Sequence, residues 1–322
     1  MKKKRRKHIR WVLEYWSVRL IFLAAGTLPL RAMHAISMFL GTLLFIFIPK
    51  RRRIATENIT LAFPQMSTEE VKEIARQSAA SFFLTFMESI KYRSLMTSND
   101  PARMIKESSP ALAALLLKAK ETHEKANGCI FVTPHIGNWE FLPHVSAAVG
   151  IPLVVVVRPL DNPYLEKLIY ASRSETGQFF IAKTNAMFTL QETLRRGKSI
   201  GMLPDQSTSK GVAITYFNRT ATATPIPAML AVLYKRPIVV IACCRKLKEG
   251  GFTGYVSDPI FPATGYESEK AEIIRLTQET ARVMEEIITQ FPGQYLWMHN
   301  RWKQYKKQNL WAKDASKPGT VV

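Results

Sequence analysis

The sequence predicts an α/β protein in which helices flank a mostly parallel central sheet, preceded by an N-terminal hydrophobic membrane anchor. Three observations predict this fold. First, short apolar runs alternate with helical stretches beyond residue 53. Second, these runs are apolar at successive positions, as in strands buried on both faces of a sheet. Third, the N-terminal segment is apolar between two basic clusters. With 322 residues, 47% of them hydrophobic, the chain can bury a large core.

The N-terminal segment has the composition of a membrane anchor. Its two basic borders are Lys2, Lys3, Lys4, Arg5, Arg6, Lys7 and Arg10 on one side, and Lys50, Arg51, Arg52 and Arg53 on the other. Met33–Pro49 can cross most of a bilayer, whereas Leu20–Leu30 is too short to do so alone. We expect residues 1–53 to form the anchor, either as one tilted span after an interfacial helix or as a shallow helical hairpin, and residues 54–322 to form the α/β domain.

The charge of the chain predicts an anionic partner. Lys and Arg number 45 against 25 Asp and Glu, which gives a formal net charge of +20. Because the basic clusters border the apolar stretch, an anionic membrane leaflet is favoured over nucleic acid. The three cysteines, Cys129, Cys243 and Cys244, lie in apolar runs, which predicts reduced thiols and a cytosolic main body.

The α/β domain begins with a predicted amphipathic helix, "MSTEEVKEIARQSAASFFLTFMESIKY", in which Ser67 and Glu70 stand in capping-box positions. Five apolar runs then predict strands: "CIFVTP", "IPLVVVV", "QFFIA", "SIGMLP" and "PIVVIACC". The helical stretch "AMFTLQETLRRG" ends at Gly197, and a last long helix is predicted from Ser268 to Phe291. The basic, aromatic tail that follows is compatible with a membrane interface or with a packed C-terminal segment.

His135 follows the first predicted strand, in the stretch "TPHIGNWEF". The carboxyl ends of strands in an open α/β sheet are where ligands bind, so this position predicts a site. Pro134 forces a turn, Gly137 permits close approach to the main chain, and Asn138 can tie the loop together. Glu140 could then face His135 across a helical turn, although a loop histidine with a helix-terminal acid is the simpler alternative.

An imidazole beside a carboxylate is a general base near neutral pH, because the carboxylate stabilises the imidazolium that forms. The sequence has no recognisable serine or cysteine nucleophile motif nearby and no pattern of zinc ligands. We therefore predict that a substrate hydroxyl gives its proton to His135 and attacks an acyl group directly.

Five ordered blocks spanning nearly the whole chain resemble a known family: "RRRIATENITLAFP", "PHIGNWE", "VVRPLDNPYLEKLI", "LPDQSTSKG" and "QYLWMHNRWK". The H-x4-E spacing of His135 and Glu140 is similar to that of the lysophospholipid acyltransferase superfamily. The five blocks together resemble the lipid A biosynthesis acyltransferases, which add secondary acyl chains.

The resemblance implies an acyl transfer in which His135 is the base and Glu140 its orienting partner. It also implies that Arg158 contacts an anion or the transition state, and that Asp205 organises the site by pairing with a basic group. The predicted substrate-binding residues are Arg158, Asp205, Gln206, Asn138, Arg173 and Lys183. Arg173 and Lys183 belong to a basic set that could contact a lipid phosphate.

The implied donor is an acyl carrier protein thioester, the implied acceptor is an anionic glycolipid of the lipid A precursor type, and neither a metal nor a cofactor is expected. The implied location is the bacterial inner membrane, with the catalytic domain facing the cytoplasm. Alternatives are acylation of another glycolipid or a lysophospholipid from acyl-coenzyme A, a membrane-binding scaffold with a degenerate site, and a nucleic-acid-binding protein. The chain departs from the family pattern at Tyr216, Phe217, Asn218 and Arg219, which concerns acyl-chain selectivity and local backbone geometry.

Overall fold

The computed structural model describes residues 2–96, 105, 109–151, 153–157, 160–174, 179–182, 186–246, 251–303 and 309–310. Its helices are α1 Lys2–Thr27, α2 Leu30–Phe47, α3 Pro49–Ala62, α4 Thr68–Met96, α5 Pro110–Ala126, α6 Leu142–Ala148, α7 Pro163–Ser174, α8 Ala186–Arg195, α9 Ile226–Tyr234 and α10 Glu269–Gln290. Its strands are β1 Ile130–Val132, β2 Leu153–Val157, β3 Phe179–Ala182, β4 Ser199–Met202, β5 Lys210–Tyr216, β6 Arg219–Ala223, β7 Ile238–Arg245, β8 Phe252–Val256 and β9 Asn309–Leu310.

The central sheet has the order β3-β2-β4-β1-β7-β8, in which β8 alone is antiparallel to its neighbour. All five apolar runs identified in the sequence form strands, and these five are the parallel ones. The prediction of a mostly parallel α/β sheet is therefore confirmed. β1 lies between its two parallel neighbours β4 and β7, so its carboxyl end is inside the edge of strand ends at which open α/β sheets bind ligands.

The two faces of the sheet bury separate cores because successive strand residues point to opposite sides. Ile130 and Val132 of β1 pack in one core with α3, α4, α8, α9 and α10. Phe131 points the other way, into a core with α5 and α6. A sheet that is covered on both faces explains why its strands are apolar at every position.

Helix α4 begins as the sequence predicts. The Ser67 main-chain N–H donates to the Glu70 carboxylate at 2.8 Å, and the Glu70 N–H approaches the Ser67 hydroxyl at 3.3 Å. These reciprocal bonds are those of a capping box. The helix is long, and one of its faces supports the loop that carries His135.

A second sheet, β6-β5-β9, lies outside the sequence prediction. Its β5–β6 hairpin turns at Phe217 and Asn218, which both have positive φ, at 47° and 56°. Two successive positive φ values match the right-handed twist of a tight hairpin. Phe217 is buried against Phe63 and Trp297, so the departure from the family pattern produces a two-residue turn with an aromatic side chain in the core.

The apolar N-terminal segment forms two helices, α1 and α2, separated near Pro29. Helix α2 is long and apolar enough to cross a membrane, with a mean hydropathy of 1.7 over Leu30–Phe47. Its buried residues, Met33, Ser37, Gly41 and Phe45, recur every fourth position and so lie on one face. Because α2 packs against α4 and its other side exposes apolar residues such as Phe39 and Phe47, the expected anchor is joined to the α/β domain.

The expected boundary at residue 53 falls inside α3, so the described backbone has no break there. The aromatic C-terminal segment is packed against the domain, since Trp297 and Trp302 are both buried. Of the two alternatives for this segment, these two tryptophans therefore support the packed one.

Candidate active site

The site lies where the carboxyl ends of two adjacent parallel strands meet. His135 is in the loop after β1, and Asp205 and Gln206 are in the loop after β4. Phe131 is in register with Gly201, so the two loops leave the sheet side by side. The fold thus brings together residues that the sequence places in separate blocks.

Asp205 holds His135 by two hydrogen bonds. The main-chain N–H of His135 donates to Asp205 Oδ2 at 2.9 Å, and Nδ1 lies 2.7 Å from Asp205 Oδ1. Because a carboxylate can only accept, Nδ1 of the neutral ring carries the proton and Nε2 keeps its lone pair. The Gln206 amide nitrogen lies 3.4 Å from Nε2, which marks the side from which a substrate proton would arrive.

Burial and charge oppose one another at this pair. Burial lowers the pKa of His135, but the charge and hydrogen bond of Asp205 raise it by more, Glu140 adds in the same direction, and the pKa is raised overall. Burial raises the pKa of Asp205, yet the positive charge on His135 and its two hydrogen bonds, with a contribution from Arg301, leave that pKa lowered. The pair therefore favours an ionised carboxylate and a basic imidazole.

Glu140 lies in the turn that precedes α6, so it does not face His135 across a helical turn. It is partly buried, and its charge acts on the imidazole. Asp205 supplies two hydrogen bonds that orient His135, and the Trp139 ring packs edge-to-face with the imidazole at a centroid distance of 5.4 Å. The sequence spacing predicted one carboxylate, that of Glu140, beside the imidazole. In the structure the charges of both Asp205 and Glu140 act on it.

Asn138 fixes the turn between His135 and Glu140. Its side chain is fully buried; Nδ2 donates to Glu88 at 2.9 Å and Oδ1 accepts the N–H of Phe141 at 3.0 Å. The Phe141 N–H is also 3.2 Å from the Asn138 main-chain oxygen, so the side chain and the main chain of Asn138 close the same turn. Asn138 thus ties the loop together, and its burial disfavours the direct substrate contact that the sequence suggested.

A buried ion pair between Arg245 and Glu88, which the sequence did not indicate, supports the loop that carries His135. Arg245 Nε donates to Glu88 at 2.8 Å, and its other nitrogens donate to Ser81 at 2.9 Å and Thr85 at 2.8 Å. The Thr85 hydroxyl in turn lies 2.8 Å from the Gly137 carbonyl oxygen. Burial raises the pKa of Glu88, and the charge of Arg245 opposes that shift.

Gly137 allows the loop to pass directly over the end of β7. Its φ is +60°, and a Cβ at this position would lie 2.0 Å from the Cys243 carbonyl oxygen. The same oxygen accepts the N–H of Asn138 at 2.8 Å. A side chain at Gly137 would therefore push the loop, and His135 with it, away from the sheet.

The C-terminal segment that contains Trp297 and His299 is hydrogen-bonded to α3 beside the site. Asn58 Nδ2 donates to the carbonyl oxygens of Trp297 and His299, both at 2.8 Å. The N–H of Leu296 donates to the His135 carbonyl at 3.0 Å. The first and last of the five sequence blocks thus meet at the loop that carries His135.

The remaining predicted substrate-binding residues cannot all be placed. Arg158 and Lys183 lie outside the described residues, and Arg173 belongs to α7, for which only the main chain is described at that position. Their assignments stay predictions.

A narrow, mostly apolar cavity with a free volume of about 20 Å³ lies beside Asp205. Its wall is formed by β5, α9 and α10, and includes Ile214, Ala228, Ala281 and Met284, with Arg301 and Asp205 as charged members. These four apolar residues are buried members of the core, so the cavity is a small gap between the core and the site.

The fold and the site define an α/β protein with a carboxylate-bonded histidine at the carboxyl end of a central strand. Among the described residues no cluster of His, Cys, Asp and Glu is suited to hold a metal ion. The profile of the family described as bacterial lipid A biosynthesis acyltransferase matches residues 1–304. The chain belongs to this family, and is therefore an acyltransferase.

Two characterised relatives extend over nearly the same length. The chain is 21% identical over 299 residues to the lipid A biosynthesis palmitoleoyltransferase of Escherichia coli (strain K12), with 92% of each chain covered. It is 22% identical over 301 residues to the lipid A biosynthesis lauroyltransferase of the same organism, covering 92% of this chain and 93% of that one.

Proposed function

We propose that this protein transfers a fatty acyl chain from an acyl carrier protein thioester to a hydroxyl of a lipid A precursor, as a secondary acylation. Membership of the family supports the reaction class. The observation that carries the mechanism is the bond between His135 Nδ1 and Asp205, which leaves Nε2 available to accept a proton.

The reaction follows from that geometry. His135 Nε2 takes the proton of the acceptor hydroxyl as its oxygen attacks the thioester carbonyl, and the resulting imidazolium is stabilised by the charges of Asp205 and Glu140. When the tetrahedral intermediate collapses, the carbon–sulfur bond breaks and the thiolate takes the proton back from His135. The products are an ester and a free carrier thiol, with no metal or redox step.

The thioester carbonyl must lie beside His135 Nε2 when the acceptor hydroxyl attacks it. Gln206, 3.4 Å from Nε2, is placed to contact the reacting groups, and Arg158, Arg173 and Lys183 keep their predicted role with the anionic part of a substrate.

The proposed location is the cytoplasmic face of the inner membrane. The apolar exterior of α2 and the basic residues around α1 and α3 support it, because together they offer hydrophobic burial and attraction to anionic lipid. The net charge of +20 also suits an acidic carrier protein.

The proposal is tested with purified full-length protein in detergent, an acyl carrier protein thioester and a lipid A precursor that has free hydroxyls on its acyl chains. Mass spectrometry should show one added acyl chain on the precursor, and His135→Ala should abolish the addition while remaining folded. Acylation of a lysophospholipid but not of the precursor would replace this function with the alternative in the same superfamily.

A further inference from the structure

We propose that Arg51 binds a phosphate group of the acceptor lipid at the rim of the active site. The inference rests on the proposed function, because it concerns how the anionic acceptor is held there. It gives Arg51 a role different from that of Lys50, Arg52 and Arg53, for which the sequence predicts contact with the membrane surface.

Arg51 differs from its neighbours by the direction that the helix gives it. The four consecutive basic residues from Lys50 to Arg53 start α3, and each residue turns by about 100° around the helix axis. Arg51 precedes Asn58 by seven residues, so both lie on one face. Both contact the C-terminal segment: Arg51 Nη1 donates to the Met298 carbonyl at 3.0 Å, beside the two carbonyls that Asn58 holds.

The C-terminal segment is hydrogen-bonded to Ser207, which follows the residue beside His135 Nε2. His299 follows Met298, and its Nε2 accepts the N–H of Ser207 at 3.4 Å. The Ser207 hydroxyl also donates to the Asn300 carbonyl at 3.1 Å. Ser207 is the next residue after Gln206, whose amide lies 3.4 Å from His135 Nε2. A series of contacts therefore connects Arg51 to the residue beside His135 Nε2.

The guanidinium of Arg51 keeps most of its binding capacity. Within the described part of the chain it forms no ion pair, and the Met298 carbonyl uses one of its five N–H donors. The next-but-one residue, Arg53, is instead 3.5 Å from Glu57 on the exposed surface of the helix. Asp205, the nearby carboxylate of the site, is bonded to His135.

The positive charge of Arg51 reaches the site. Burial is the largest cause that lowers the pKa of His299; the charges of His135, Arg301 and Arg51 add to it, and Asp205 opposes it. A rim that is positive and only partly neutralised favours an anion. A planar guanidinium with free donors matches phosphate by two parallel hydrogen bonds, so a phosphate of the glycolipid is the ligand that the rim would take.

The experiment compares Arg51→Gln with Arg52→Gln, the adjacent residue of the same helix, on acceptors with and without phosphate. Both side chains are exposed, so the comparison tests position rather than exposure. Arg51→Gln should raise the KM for the phosphorylated acceptor about tenfold or more, as expected on loss of a charge-assisted contact, with kcat and the donor KM within about twofold of the wild type. Arg52→Gln should leave both KM values unchanged. Arg51→Lys should recover part of the loss, because it keeps the charge but not the paired donors.

Equal acceptor KM values for the two Gln variants would overturn the inference, as would an equal loss on the acceptor without phosphate. A rise in the donor KM alone would assign Arg51 to the phosphate of the donor instead. Binding of each acceptor in the absence of donor, followed by tryptophan fluorescence, measures the same preference without turnover. If the wild type binds the phosphorylated acceptor more tightly and Arg51→Gln loses this preference, the inference is supported even if the acyl transfer itself fails. If the enzyme is active but shows no such preference, the inference about Arg51 is rejected and the proposed function stands.

Discussion

Asp205 binds both the ring and the main chain of His135, although 70 residues separate them in the sequence. One carboxylate oxygen accepts the backbone N–H and the other faces Nδ1, so the loop and the ring are fixed together. This arrangement selects the tautomer with an unprotonated Nε2, which is the tautomer that a general base requires.

Asp205→Asn should therefore lower kcat by about 10²–10⁴-fold, because the amide can present a donor to Nδ1 and so favour the wrong tautomer. Glu140→Gln should also slow the reaction, through the loss of a charge that stabilises the imidazolium. Initial rates with saturating donor and acceptor measure both effects.

Adding Asp205→Asn to His135→Ala should lower the rate little further than His135→Ala alone, since the two residues act as a unit. Fully multiplicative losses would mean that Asp205 acts independently of the histidine.

The pH dependence should report the raised pKa of His135. The base must be neutral to accept a proton, so kcat/KM should fall as the pH drops through a value above 6.5, the ordinary pKa of histidine. Asp205→Asn removes the largest raising influence and leaves burial, which lowers the pKa, so the acid limb should move to lower pH. An unchanged limb in this variant, measured over a range in which the enzyme stays folded, would show that another group controls the profile.

Much of the scaffold of the site could be predicted from local patterns. The strand before His135, the strand before Asp205 and the capping box of α4 each depend on residues close together in sequence, and each is present in the structure. The partnership of Asp205 with His135 depends on β1 and β4 being neighbours, which no local pattern reveals. Sequence spacing therefore favoured Glu140 as the orienting carboxylate.

The ion pair between Glu88 and Arg245 was missed for a related reason. Glu88 resembles one more polar residue of an amphipathic helix, and Arg245 resembles the charged end of an apolar strand. Only tertiary packing buries both groups and directs them to the loop. A glutamate within an otherwise apolar helix face, between Met87 and Ile90, was the one available signal.

The support of the loop by α4 is tested at Thr85. Thr85→Val keeps the shape but removes the hydroxyl that lies between Arg245 and the Gly137 carbonyl, so kcat should fall about tenfold or more with little change in either KM. Thr85→Ser keeps the hydroxyl and should restore most of the rate. Glu272→Gln, which alters a buried glutamate paired with Arg275 in another part of the fold, controls for a general loss of stability. A loss of rate in Thr85→Ser but not in Thr85→Val would show that packing of the methyl group, rather than the hydroxyl, matters.

The packing of α2 on α4 is tested at Gly41. A Cβ there would lie 2.8 Å from the Ala80 main-chain nitrogen, so Gly41→Ala should force the helices apart and destabilise the protein by about 1–3 kcal/mol. Gly26→Ala is the matched control, because no atom lies within 4 Å of the added carbon and alanine favours a helix. Thermal unfolding in one detergent should separate the two variants. Equal midpoints would show that α2 does not pack closely on α4 in solution.

The choice of acyl donor follows from charge. A body with a net charge of +20 should attract an acidic carrier protein over long range, whereas coenzyme A is a small anion that offers much less charge. At matched acyl length, carrier protein thioesters should therefore give a higher kcat/KM than coenzyme A thioesters at low ionic strength. The advantage should shrink as salt rises, because the screening length falls to about 8 Å at physiological ionic strength. The coenzyme A reaction serves as the control for effects of salt on the chemistry or on the micelle, since these act on both donors. Equal rates from the two donors at low salt would argue against a docking surface for the carrier protein and favour the acyl-coenzyme A alternative.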